Sequence, residues 1–448
     1  MNRLIPTLRL LTLVAVIAVV GIFADTHKAY AATQIYYSVG QNTTDHKTGS
    51  PTLDISSGVG TFSVAQTATN MGVGDKVTFN TSNVCYISGK QSTSVWNLIT
   101  ATGTTCANVT GATVNSIAHA FSSLNSAIGN GVANNATSTN YLNTSDLVAG
   151  NYQLNIPCYY DTGPDTTAVI INGLTTDSTH YLRIYTATST TSEVNQSQRH
   201  AGVWVNSGVY VSPTITLTSD FIRIDGLLLA LTVTGTFQNG ISINSIHSGA
   251  TYFLSNNIIK GVLSGTANNN HGIQSYFSSG VIRTLYIWNN IIYGFSNGAQ
   301  INYAIFIGNG DNVYIYNNSI YGNYYGITRS SGNIVAKNNV FSSNSFPAFG
   351  TFVAGTDYNS TASTSMGYTV TGGGNTHDRV SQTFSFVDSV NSNFHLTAAD
   401  TGAKDLGVNL SADPNLAFST DIDGDARPQG SAWDIGADEV AASITPPR

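Results

Sequence analysis

The sequence predicts an all-β solenoid: a stack of short three-strand coils, preceded by a small β-rich unit and sealed by a closing segment. The first observation is a repeat. Val313-Tyr-Ile-Tyr-Asn-Asn-Ser-Ile-Tyr-Gly322 recurs as Tyr252-Phe-Leu-Ser-Asn-Asn-Ile-Ile-Lys-Gly261 and as Leu285-Tyr-Ile-Trp-Asn-Asn-Ile-Ile-Tyr-Gly294. A worn copy stands at Ile334-Val-Ala-Lys-Asn-Asn-Val-Phe341, and an earlier relative at Phe221-Ile-Arg-Ile-Asp-Gly-Leu-Leu228. Matching Asp225 to the second asparagine of each pair (Asn257, Asn290, Asn318, Asn339) gives steps of 32, 33, 28 and 21 residues. Units of that period stack because none can bury a face alone. The second observation is register. Ile222, Leu254, Ile287, Ile315 and Ala336 share one position; Leu227, Ile259, Ile292, Ile320 and Phe341 share another. Period-2 alternation turns both rows inward on either side of the Asn bend. The third is composition. Charged residues are 9% of the chain, against about 25% in ordinary globular proteins, and the Asn, Ser, Thr, Gly and Tyr that replace them suit turns and pleated surfaces.

At the start of the chain, Arg3 and Arg9 precede a largely apolar run from Leu10 to Phe23 and the small-residue site Ala29-Tyr30-Ala31. This is the pattern of a secretory signal peptide, residues 1–31, and the run is shorter than the roughly 20 residues a spanning helix needs. Removing it takes away three basic residues and one acidic residue, leaving 14 basic against 23 acidic, a net charge of −9. Without clustered Lys and Arg such a surface does not neutralise phosphates, so no nucleic-acid partner is expected. No second apolar run reaches membrane length. Cys85 and Cys106 lie 21 residues apart and can pair in an exported chain, leaving Cys158 over; three ordinary buried thiols are the equal alternative. No CxxC or histidine cluster suggests a metal, and no cofactor is expected.

Residues 32–114 read as a small β-rich unit, with strands expected near 35–39, 61–65, 76–79, 84–88 and 95–100 between Gly/Asn/Thr turns. A helix is expected over 115–129. Ile117, Phe121, Leu124 and Ile128 recur at helical spacing, Asn115 or Ser116 can cap its start, and Gly129 and Gly131 its end. Its expected use is to cover the open first coil of the solenoid. Extended segments at 148–156, 168–171 and 181–186 read as irregular first coils. The polar insertion 187–200 holds Glu193, and insertions in solenoids map to loops on one face, often the functional one. Regular coils run over 221–344, each with a third strand: Gly240-Ile-Ser-Ile, Gly272-Ile-Gln, Ala304-Ile-Phe-Ile and Gly326-Ile-Thr. Asparagine suits the bend because it tolerates left-handed backbone and its amide can bond the copies above and below. The solenoid with its cap spans 115–400, the closing segment 401–440 and a tail 441–448.

Over about residues 148–344 these features resemble the right-handed parallel β-helix proteins of the pectin-lyase-like superfamily. The resemblance implies a right-handed three-sheet solenoid, and it implies little about activity. Asp421-Ile-Asp-Gly-Asp-Ala-Arg-Pro-Gln-Gly430 with Asp434-Ile-Gly-Ala-Asp-Glu-Val440 resembles the C-terminal motif of bacterial choice-of-anchor β-helix surface proteins, where it closes the solenoid. Residues 441–448 carry no apolar tail or sorting motif, a departure from those proteins that puts covalent anchoring in doubt unless the chain is a fragment. Asp421, Asp423 and Asp425 begin like a calcium loop, but Ala426 and Ala432 stand where its glycine and last acid belong. A turn closed by Asp–Arg427 contacts is expected instead.

The candidate binding residues follow from the register. Outward, one residue before the asparagines, come Ser255, Trp288, Tyr316 and Lys337, with Arg223 matched to them; just past the bend come Lys260, Tyr293 and Tyr321. An exposed row of Arg223, Trp288, Tyr316, Lys337, Tyr293 and Tyr321 has the chemistry to hold a sugar ring and its carboxylate. Catalytic carboxylate pairs are missing: the regular coils contain only Asp225 and Asp311, and Glu193 sits in the insertion. Lys260, His271, Arg283 and Arg329 are available to a lyase but share no motif. The expectation is a secreted or cell-surface protein, non-catalytic, binding a polysaccharide or cell-surface glycan. A polysaccharide lyase or hydrolase acting on an acidic glycan is the alternative, and a structural spacer the third.

Overall fold

The computed structural model describes residues 31–129, 140–142, 144–276, 280–298, 300–308 and 310–441. Residues 1–30 of the expected signal peptide, Gly131 and the tail beyond 441 lie outside these. From Thr33 onward the chain forms one unit. Three parallel sheets of eight, seven and eight strands are stacked coil upon coil, a β-helix-like solenoid. Leu254 pairs with Ile287, Ile315 and Ala336 in turn, and Ile259 with Ile292, Ile320 and Phe341. The third strands add Ile241, Ile273, Ile305, Ile327 and Ala348. All three rows are buried in one continuous core.

The two asparagines of each pair divide the work of the bend. The first, Asn256, Asn289, Asn317 and Asn338, takes the left-handed conformation, with φ of 54, 53, 51 and 55°. The second points inward and forms a ladder. The Oδ1 of Asn290 accepts from the backbone and side-chain N–H of Asn257, and Asn318 and Asn339 repeat the pattern at 2.9–3.0 Å. The ladder runs on through Asn359 to Asp378, beyond the visible repeats.

The first coil is matched two residues differently from the sequence alignment. Ile224 pairs with Leu254 and Asp225 with Ser255, so Gly226 (φ 78°) holds the left-handed place and Leu227 donates its N–H to Asn257. Glycine reaches that conformation without an asparagine, which removes the marker the alignment relied on. Leu229, not Leu227, therefore pairs with Ile259, and Arg223 pairs with Phe253 rather than Ser255.

The N-terminal strands Thr52–Ser56, Val59–Phe62, Lys76–Phe79, Asn83–Lys90, Val95–Ile99 and Val109–Ala118 close into a barrel around Leu53, Val77, Trp96 and Ile117. Cys85 and Cys106 form a disulfide and Cys158 is a buried free thiol. The helix expected over 115–129 is corrected. Asn115 to Ala118 complete the last barrel strand, and helix is confined to Leu124–Ile128, capped by Ser123. Pairing of Ser116 and Ile117 with Lys76–Phe79 outweighs the helical spacing of four apolar residues. Thr33–Tyr36 belongs to the first sheet, beside Tyr152–Pro157, so the chain enters the stack before building the barrel.

The cover starts before the expected boundary at 401: residues 384–400 and the closing segment together lie against the outer faces of the first two sheets. Phe394, Ile422 and Ala437 cover Leu228, Ile258 and Ile291; Leu396 and Ile435 cover Val340; Leu410, Leu416 and Trp433 cover Tyr316. The first asparagine of the last three pairs ties it down, whereas Asn256 donates to Asp225. Asn289 donates to Thr420 O, Asn317 to Asp434 O and Gly436 O, and Asn338 exchanges two bonds with Val408. Arg427 is fully enclosed, but its carboxylate partner is Glu439 at 3.0 Å rather than an aspartate of the 421–425 loop. Asp421 instead accepts the backbone N–H groups of Asp423, Asp425 and Glu439. No helix among the described residues is long and apolar enough to cross a membrane.

Candidate binding cleft

Most of the aromatic row expected to face solvent is covered. Tyr316 is fully buried, and its hydroxyl donates to Asp413 at 3.5 Å. Lys337 donates to the same Asp413 at 2.6 Å, so the closing segment supplies the carboxylate that the sequence assigned to a ligand. Tyr293 and Tyr321 pack on Phe394, with ring centroids 5.0 and 4.6 Å away. Outward register is observed; exposure is not.

Arg223 and Trp288 do converge. They line an open cleft of about 440 Å³ between the first sheet and residues 418–420 of the closing segment. Trp288 packs between Phe253 and Phe418, with centroids 6.3 and 6.4 Å away. The Arg223 guanidinium lies 3.8 Å from the Tyr181 ring and 4.8 Å from Phe253. Among the described residues it has no ion-pair partner; burial, and then the neighbouring Arg183, disfavour its charge. Arg183 stacks on Tyr185 at 3.7 Å and stands 3.8 Å from Asp225. Beyond Phe253, Tyr286 and Tyr314 continue the row, stacked at 4.8 and 5.3 Å. The cleft thus offers aromatic walls and an arginine free to take an anion.

The residues considered for catalysis do not meet. Asp311 and Arg283 form a fully buried pair, and Asp225 is held by Arg199. Burial alone would raise the Asp225 carboxyl, but Arg199 and Arg183 keep it below the usual carboxylate value. Glu193 accepts the N–H groups of Thr188 and Ser189, while neighbouring Val194 enters the barrel core; the insertion ties barrel to solenoid. His271 stacks on Tyr303 in the third sheet, Arg329 donates to Gly332 O, and Lys260 lies over Trp204 and Tyr293.

Two groups of metal-type ligands come together that no local motif announced: His46, Asp75 and His119, and His395, Asp423 and Asp438. In the first, His119 faces Asp75 at 2.7 Å and Asp161 at 3.2 Å, and His46 faces Asp75 at 3.1 Å. Burial opposes the charge on His119, but the two carboxylates raise it to about 9. In the second, His395 sits 2.8 Å from Asp423. Burial again opposes its charge, and Asp423 and Asp438 raise it. Both geometries fit an imidazolium clamped by carboxylates. Comparison with protein-family models, with curated proteins and with solved structures finds no match to this chain.

Proposed function

We propose that this chain is an exported, non-catalytic glycan-binding protein, secreted or held at the cell surface, which takes an acidic sugar in the cleft beside its closing segment. The observation that carries this is Arg223: half-buried between two aromatic rings, open to the cleft and without a carboxylate of its own. A guanidinium so placed pairs with a carboxylate in bidentate fashion while the rings contact sugar C–H faces. The disulfide supports an oxidising destination. The engagement of Asp225, Asp311 and Glu193 in structural contacts favours binding over hydrolysis. The stacked parallel coils and the Asp421–Val440 segment further support membership in the right-handed, pectin-lyase-like β-helix superfamily and its choice-of-anchor surface proteins.

The test is affinity for polygalacturonate and alginate. Arg223→Ala should weaken binding at least about tenfold, the scale of one lost charge-assisted contact, and Arg223→Lys should restore part of it. Undiminished binding by the alanine variant would sink the assignment. Release of unsaturated or reducing ends from either polymer would replace it with the lyase or hydrolase alternative.

A further inference from the structure

The third sheet carries a second row of aromatics that the Asn-Asn repeat does not mark. The residue before each small Gly or Ala of the third strand gives His271, Tyr303 and Tyr325, with Phe346 next, all paired in register. Their rings stack at 5.0, 5.3 and 4.8 Å. At the His271 end a cleft of about 330 Å³ opens, within the size range of small-molecule sites. Phe237 and Tyr276, 69% and 56% exposed, stand at its sides, with Tyr303 and Phe306 behind. Among the described residues no Asp, Glu, Lys or Arg lines it, and none of that lining comes from the closing segment.

Its polar floor is built rather than incidental. His271 is only 3% exposed, and its Nδ1 lies 2.7 Å from Asn239 Oδ1. Asn239 in turn donates its amide to Gln274 Oε1 at 2.8 Å. This relay engages one end of each outer group. His271 Nε2 and the Gln274 amide nitrogen have no partner among the described residues, the first an acceptor and the second a donor. Reversing both amides exchanges the two polarities and still leaves one of each. Burial takes the imidazole down to about 3, so it stays neutral.

We propose that this cleft is a separate carbohydrate site for an uncharged pyranose. Two neighbouring hydroxyls bond the free acceptor and donor, and the ring's C–H face lies against Phe237 or Tyr276. A uronate does not suit it, because its carboxylate would lose water with no cation to meet it. The site lies on a different sheet from the Arg223 cleft and has the opposite charge preference, so the two are independent.

The probes are a soluble glucan, an unsubstituted xylan, a mannan and a galactan, with polygalacturonate as the acidic control, titrated against the mature chain. At least one uncharged polymer should bind. The double variant Phe237→Ala, Tyr276→Ala changes only exposed rings, and Gln274→Ala removes the donor; each should weaken that binding about tenfold with polygalacturonate affinity unchanged. Arg223→Ala should do the reverse. Failure of all four uncharged polymers to bind overturns the proposal, as does neutral binding that survives both variants. Parallel loss of neutral and acidic binding in Gln274→Ala also overturns it, by showing one shared site.

Discussion

At the residue scale, the Asn-Asn pair separates two demands that one residue cannot meet. A two-residue bend needs a left-handed backbone, which asparagine tolerates, and it buries carbonyls that need donors. The first asparagine supplies the conformation and turns its amide outward, to the closing segment in the last three pairs; the second turns inward and satisfies its neighbours. Asn290 is fully buried and donates to Leu254 O, Trp288 O and Asn318 Oδ1. Asn290→Ala strands those acceptors and should cost about 1–3 kcal/mol, read as a lower denaturant midpoint at unchanged slope. A midpoint equal to wild type would remove the ladder from the account of stability. The repeat made this ladder legible from Asn257 to Asn339. It hid the ends, because Gly226 and Leu227 replace the pair at one end, and Tyr358-Asn359 and Asp378 carry on without it at the other.

At the scale of elements, the closing segment decides what the outside of the solenoid can do. Its place was half-legible. Ile258, Ile291 and Val340 stand outward, one residue past three of the four Asn pairs, with Ser319 past the other, and an outward apolar row requires a cover. The sequence does not say which stretch provides it, since the cover is made through contacts such as Asn317 to Gly436, 119 residues apart. Ending the chain at residue 382 should expose that row, at about 1.5–3 kcal/mol per large side chain. The shortened protein should bind a hydrophobic dye and self-associate on size exclusion. A monomeric, dye-silent product would show that the segment is dispensable to the stack.

At the scale of the whole molecule, barrel and solenoid are joined by a buried charge cluster. His119 directly follows the last barrel strand and meets Asp75 and His46 from the barrel side and Asp161 and Tyr159 from the solenoid. The folded His119 titrates at about 9, against an unfolded value near 6.5. The stability it contributes is therefore complete below about pH 6.5 and lost as pH rises through 9, on the order of 3 kcal/mol. Asp75 shifts the other way, held down by His119 and His46 despite its burial, so its contribution is lost only in acid. Burial raises Asp421, Asp434 and Asp438 to about 6; their effect falls as pH rises from about 4 to 6 and is constant above that. Denaturant midpoints measured at pH 6.5 and 9 should fall in the wild type and stay level in His119→Gln; equal midpoints in the wild type would refute the clamp. Here the division between sequence and structure is plain. Local periodicity determined the solenoid, its inward rows and its asparagine bend, because neighbouring coils repeat the same short-range constraints. Long-range packing alone decided the barrel's last strand, the covered face around Tyr316, the open clefts at Arg223 and His271, and the cluster at His119. Each of these depends on residues tens of positions apart, whose approach no spacing rule encodes.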